Sequence, residues 1–350
     1  MKSDLDSLML DRKMDAILIF GNAENNPPMT FLTGGGHVSG ATLIKKRNEE
    51  PVLFCNPMER DEASKSGLKI RLYDEFPWQE LLKKADGDMA LMAALRLKEI
   101  FNEMGIFGRV GVYGHTDLSG MFGVLSYFQK IMPSVNLVGE PRESSLFMYA
   151  METKDEFDVA RIRNVGKITT EVVGMTKEFL INCLVNSDEI LLNNDDTPLR
   201  LGEVKSKINL WLAERGVTPS EGYIFSIGRD AGVPHSQGNP NDFMSLGRTI
   251  VFDIYPQEMG GGYFYDFTRT WSLGYAAPKA QQLYDQVFSA YNKVVEKLEL
   301  NAKFKDYQVI TCDIFESFGH ATPRTHKAPL EGYIHSLGHG VGLNIHERPW

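Results

Sequence analysis

Short apolar runs and amphipathic stretches alternate through the first 150 residues of the chain. Leu5, Leu8, Met9 and Leu10 recur at helical spacing between Ser3 and Lys13. DAILIF (15–20), MTFLTG (29–34), GATLIKK (40–46) and PVLFCN (51–56) follow as compact apolar runs. Each is bounded by Gly, Pro or Asn, so each predicts a buried strand. The spacing predicts a helix over 88–104 leading into a strand at RVGVYG (109–114). A second helix over 117–131 leads into VNLVGE (135–140). Helices interleaved with short strands make residues 1–150 an α/β domain.

The pattern changes at METKDEFDVARIRNVGKITTEVV, which is charged at its start and helical after it. Thr153 with Glu156 three residues on reads as a capping box. The domain boundary is placed there, giving a second domain over 151–350. A helix over 202–215 ends at Gly216, a residue suited to a C-cap. From 222 onward strand patterns dominate: YIFSIG, RTIVFDIYP (248–256) and GGYFYDFTRTWSLG (261–274). Helices are expected over 277–298 and 305–318, and the closing segment is again β-like. The glycine pairs read as hairpin turns, and no repeat or low-complexity tract interrupts the pattern.

Composition narrows the class. The 350 residues are 43% hydrophobic and 24% charged, ordinary values for a globular protein large enough for two domains. A net charge of −9 argues against nucleic acid or an anionic membrane as partner, since both need a basic footprint. The three cysteines are odd in number and widely spaced, at Cys55, Cys183 and Cys312. That excludes a disulfide framework or a cysteine zinc cluster and suits a reducing compartment. The N-terminus lacks the apolar core of a signal peptide, and no apolar run reaches the ~18 residues of a membrane span. A cytosolic setting is the expectation.

Among chemical motifs, neither a phosphate-binding loop nor an H-E-x-x-H zinc helix is present. GGGHVSG (34–40) lacks the spacing of a dinucleotide fingerprint and reads as a turn. Asp253 and Asp266 each sit among apolar strand residues, with PQEMGGG between them as a hairpin turn. Burying one carboxylate costs several kcal/mol unless it is paired or metal-bound, and burying two costs more. Either the two alternate outward to solvent, or they pair with Arg269, or a divalent cation takes both. The closing stretch YIHSLGHGVGLNIHERPW carries His335, His339 and His346 among glycines that permit close backbone approach. In a strand His335 and His339 share a face, and His346 joins them only through a bulge or turn. Three histidines together point to a site. His235, in GRDAGVPHSQG (228–238), reads by itself as a surface-loop residue.

Taken in order, AGVPHSQG, IVFDIYP, YFYDFTRTWSLG and HSLGHGVGLNIHERP resemble the pita-bread metallopeptidases: Xaa-Pro aminopeptidase, prolidase, methionine aminopeptidase and the metal-free relative creatinase. The first half resembles the creatinase/prolidase N-terminal domain, with its opening helix, DAILIF strand, FLTG and ETKDEFDVARIRN. The likeness thus covers nearly the whole chain. Methionine aminopeptidases usually lack that first domain, which favours the proline-specific branch. The implied fold is an α/β domain followed by an α+β pita-bread domain, a curved antiparallel sheet flanked by helices, without its last strands.

The resemblance implies two divalent ions, Mn first and Co, Zn or Fe as alternatives. Asp253 would bind one, Asp266 would bridge both and His339 would bind one. It places His235, His335 and His346 around the substrate, hydrogen-bonding the tetrahedral intermediate and assisting the departing prolyl nitrogen. The implied substrates are proline-containing peptides or dipeptides, cleaved through a metal-bridged hydroxide, and the implied assembly is a homodimer. Two departures stand out. The interval from Asp253 to Asp266 is longer than the family hairpin, which reads as a longer turn with both ligands kept. The family's two glutamate ligands belong to strands after the HERP segment, and Glu347 does not replace them, being part of the H-E-x-P pattern. The 350 residues are therefore expected to hold metal weakly and show little activity. The rival readings are creatinase-like C–N hydrolysis without metal and a non-catalytic peptide-binding module.

Overall fold

A computed structural model describes residues 4–350, so Ser3, the expected start of the first helix, lies outside the described residues. The chain divides into two compact units, Met1–Val159 with Met259–Tyr263, and Ala160–Glu258 with Phe264–Trp350.

The first unit runs α1 (Leu5–Asp11), β1 (Ala16–Gly21), α2 (Pro27–Thr33), β2 (Ala41–Lys46), β3 (Val52–Cys55), α3 (Arg60–Ser64) and β4 (Lys69–Leu72). It continues through α4 (Trp78–Lys84), α5 (Met89–Glu103), β5 (Gly108–His115), α6 (Leu118–Ile131), β6 (Val135–Val138) and α7 (Leu146–Ala150). The sheet order is β4-β3-β2-β1-β5-β6. β2 runs antiparallel to both β1 and β3, whereas the β3–β4, β1–β5 and β5–β6 pairings are parallel. Leu18, Phe20, Ile44 and Phe54 from the strands pack with Phe101 of α5 and Phe128 of α6 in one core. Each such buried side chain contributes about 1.5–3 kcal/mol by leaving water.

One expected strand is a helix. MTFLTG lies in α2, with Pro27 and Pro28 at its start and Gly34 (φ 78°) closing it in the left-handed conformation. A short apolar run does not distinguish a strand from a buried helix, and here the flanking Pro and Gly are the end signals of a helix.

The second unit opens with α8 (Glu156–Ile181), whose first residues precede the division at Ala160. The reciprocal capping bonds run between Asp155 and Asp158, not Thr153 and Glu156. The Asp158 N–H donates to Asp155 Oδ1 at 2.9 Å and the Asp155 N–H donates to Asp158 Oδ2 at 3.0 Å. A shorter acidic pair two residues downstream fits the turn that the expected pair precedes.

Then follow α9 (Leu201–Ala213), β7 (Val217–Thr218), β8 (Tyr223–Ile227), β9 (Thr249–Ile254), β10 (Gln257–Glu258), β11 (Phe267–Ser272), α10 (Pro278–Val295) and α11 (Phe304–Ser317). β11-β9-β8 form an antiparallel sheet, and β10 pairs with β7. Ile250, Phe252 and Ile254 point from β9 into a core shared with Leu201, Val204 and Ile208 of α9 and Val165 and Val172 of α8. The opposite face of β9 carries Thr249, Val251 and Asp253, half-buried.

Three expectations about this unit are corrected. PQEMGGG is not a simple hairpin turn: Gln257 and Glu258 pair with β7, and Met259–Tyr263 group with the first unit. Asp266 lies one residue ahead of β11 rather than inside a strand. The closing segment also forms no strand among the described residues. It folds back on itself through a bridge between Gly340 and Glu347.

Candidate active site

Asp253 reaches the site because β9 alternates: its even neighbours Phe252 and Ile254 are fully buried in the core, which leaves the carboxylate on the other face. There it stands opposite Thr268 of β11 and Ile224 of β8. The Thr268 hydroxyl donates to Asp253 Oδ1 at 2.6 Å. The Asp266 carboxylate stands beside that of Asp253. Burial above all, with the Asp266 carboxylate beside it, raises the Asp253 carboxyl above its usual range, while Thr268 and His335 act the other way.

Asp266 links onward to a histidine. His339 Nε2 lies 3.4 Å from Asp266 Oδ2, and its Nδ1 lies 2.9 Å from the Gly340 carbonyl oxygen. A carbonyl only accepts, so Nδ1 carries the hydrogen and Nε2 is the nitrogen presented to Asp266. The hydrogen bond with Asp266 raises the imidazole above its ordinary range. Arg269 does not pair with the aspartates as one reading allowed. Its Nη1 donates to the Thr268 carbonyl at 2.7 Å, and its guanidinium lies 3.8 Å from the centroid of the Phe267 ring.

The four histidines meet in two pairs. The rings of His339 and His346 are 4.4 Å apart, edge to face at 71°. Those of His235 and His335 are 6.2 Å apart at 61°. His235 is exposed on its loop, with φ of 59°, and His335 is also exposed. His335 and His339 do not share a strand face, because their segment is not a strand. The turn that brings His346 to His339 is the Gly340–Glu347 bridge, where each N–H donates to the other's carbonyl at 2.9 Å.

Several site residues have no motif of their own. Thr268 could have been found, since it lies two residues after Asp266 in the same apolar stretch, and it pairs directly opposite Asp253. Gln308 of α11 could not. Its Oε1 accepts from the Tyr333 hydroxyl at 2.9 Å and from the Leu337 N–H at 2.7 Å, holding a side chain before His335 and the backbone after it. Asn344 donates from its backbone N–H and side-chain amide to Glu347 Oε1, at 2.9 and 3.2 Å.

The donor set suits a divalent cation: two neighbouring carboxylates supply hard oxygens and His339 supplies an imidazole nitrogen. Two ligands about 2.1 Å from one ion at angles of ~90–109° lie roughly 3.0–3.4 Å apart. The Nε2–Oδ2 separation of 3.4 Å falls at the edge of that range. Both contacts also call for a positive charge between like or electron-rich partners, which a proton or a cation supplies. Asp253, Asp266 and His339 stand as a chain: among the described residues no group of three His, Cys, Asp or Glu side chains forms a ready-made cage. Pair by pair, the residues fit the group.

The fold is of the pita-bread type. In solved structures the chain resembles an Xaa-Pro dipeptidase from Bacillus anthracis, with a TM-score of 0.74 at 16% identity, covering 99% of this chain and 82% of that one. Residues 160–350 match the model of metallopeptidase family M24, and the chain belongs to that family. An uncharacterised peptidase of Staphylococcus saprophyticus is 31% identical over 307 residues, 87% of this chain and 73% of that protein. The Xaa-Pro dipeptidase of Pyrococcus furiosus is 28% identical over 148 residues, 42% of this chain but only 39% of that protein.

Proposed function

We propose that the chain is a metal-dependent peptidase that hydrolyses the bond between an N-terminal residue and proline, as an Xaa-Pro aminopeptidase or dipeptidase. One observation carries the reading: Asp253, Asp266 and His339 come together, the Asp266 carboxylate standing beside Asp253 and 3.4 Å from the His339 imidazole. The names of two relatives, both Xaa-Pro dipeptidases, support the choice of bond.

Asp253, Asp266 and His339 would hold divalent cation, Mn being the first to try. When bound, the metal would polarise the scissile carbonyl and make a hydrolytic nucleophile available at neutral pH. Asp266, beside both other ligands, would take the central position. Thr268 holds the Asp253 carboxylate in orientation through its hydrogen bond. His235 and His335, exposed and ring to ring, supply hydrogen bonds where charge develops on the carbonyl oxygen. His346 supplies a proton to the departing prolyl nitrogen, which has no N–H in the peptide and must gain one on release. A homodimer and a cytosolic setting complete the proposal; the free cysteines Cys55, Cys183 and Cys312 are compatible with the latter.

The test is release of the N-terminal residue from Xaa-Pro dipeptides and longer Xaa-Pro peptides with added Mn2+, in parallel with metal analysis. Asp266→Ala should abolish both cleavage and metal uptake. Metal uptake at two ions per chain with no cleavage of any Xaa-Pro substrate would leave a peptide-binding module instead.

A further inference from the structure

Glu347 is the one acidic side chain among the described residues that is buried, at 0% exposure. A buried carboxylate needs strong hydrogen bonds, and Asn344 of its own loop supplies two of them. Oε1 accepts from the Asn344 N–H and from Asn344 Nδ2. Its backbone makes both hydrogen bonds of the bridge to Gly340. The loop between them leaves space for the carboxylate only because residue 342 is glycine. A Cβ there would lie 2.3 Å from Glu347 Oε2, far inside contact distance.

The two residues that immediately precede the bridge partners are His339 and His346. The clasp is therefore built at the positions that set the two imidazoles ring to ring. The same loop is tied to the strand side of the site, because the Phe264 N–H donates to the Gly342 carbonyl at 2.7 Å. Phe264 stands two residues before Asp266.

We propose that Glu347 is a positioning residue: its buried carboxylate, clasped by Asn344 beside Gly342, fixes the loop that sets His339 against both Asp266 and His346. Glu347 holds no substrate or cation in this role. The proposal rests on the reading of His339 and His346 as site residues. Removing the carboxylate takes the shared acceptor from both Asn344 donors and opens a void, so the loop relaxes and the ring pair separates. Glutamine keeps an Oε1 that accepts both bonds, so it should preserve the pair.

The full chain labelled with 13C-histidine provides the test. His339→Gln and His346→Gln assign the two rings, whose edge-to-face contact gives ring-current-shifted proton signals. Glu347→Ala should move those signals to the positions of exposed histidines and leave His235 and His335 unchanged. Glu347→Gln should keep them. In Xaa-Pro hydrolysis kcat of the alanine variant should fall about a hundredfold, the loss expected from a displacement of ~1 Å at a reacting centre. The proposal is overturned if Glu347→Ala retains the ring-pair signals, or if Glu347→Gln loses them as fully as alanine does. Should Glu347→Ala fail to fold, Asn344→Ala replaces it, with loss of the signals expected and their retention overturning the idea. A parent chain that cleaves no Xaa-Pro substrate would refute the peptidase reading and still leave the spectroscopic test of the clasp decisive.

Discussion

Thr268 faces Asp253 directly across the pairing of β9 and β11, and its hydroxyl donates to the carboxylate at 2.6 Å. The bond sets which Asp253 oxygen remains for a cation. Thr268→Val keeps the shape and removes the donor, so Mn2+ affinity measured by calorimetry should fall about 10–100-fold. Thr268→Ser, with the hydroxyl restored, should recover most of it. Equal affinity in the valine variant would show that the bond does not orient the ligand.

Phe252 is the immediate neighbour of Asp253 on the buried face of β9. Its ring lies 5.1 Å from Phe225, 6.0 Å from Tyr223 and 6.0 Å from Trp271. Phe252→Ala should cost about 3–5 kcal/mol, through lost transfer energy and the cavity left among those rings. Urea denaturation followed by tryptophan fluorescence would measure it. A loss below 1 kcal/mol would mean that the cluster repacks around the gap.

Arg161 of α8 holds Glu258 of β10 through its Nε at 3.0 and 3.2 Å and through Nη2. The two side chains are 22% and 21% exposed, so the pair is neither a screened surface contact nor a dry one. Glu258→Ala should destabilise the protein by about 1–2 kcal/mol, between the values of exposed and buried pairs. A double-mutant cycle with Arg161→Ala isolates the coupling, and a coupling of zero would assign the loss to packing alone.

Asp6 in the first unit gives a pH dependence. Burial raises its carboxyl, but the hydrogen bonds from the buried Lys45 ammonium and the Asn48 N–H outweigh that and hold it below its usual value of 3.8. A group depressed on folding contributes stability above its unfolded value and loses it as pH falls through the folded one. The contribution is thus present at pH 5 and decays below about pH 4. Asp6→Asn should flatten that part of the stability curve, as read by thermal melts from pH 5 to 2. An unchanged acid limb would show that other carboxylates govern it.

Much of this molecule is legible in residue order because its signals are local. β9 follows from the alternation of Ile250, Phe252 and Ile254 with polar or small partners, and α5 and α6 follow from helical spacing. The errors have local causes too. MTFLTG is equally apolar in either period, and Gly34 settles it only once its backbone angle is known. At the start of α8 two overlapping capping pairs, Thr153 with Glu156 and Asp155 with Asp158, compete for one turn, and geometry selects the second.

The candidate site divides in the same way. Sequence determined which residue types carry chemistry, two aspartates on apolar stretches and histidines among glycines, because burying charge is costly enough to be informative wherever it appears. Only the tertiary structure decided their partners. Asp253 and Asp266 come side by side through the pairing of β9 with β11 and the segment leading into it, and His346 meets His339 because a loop closes around Glu347. Gln308 reaches the backbone around His335 from a helix 25–29 residues away. Such contacts depend on register and on where the chain turns back, and neither is a property of any short stretch of sequence.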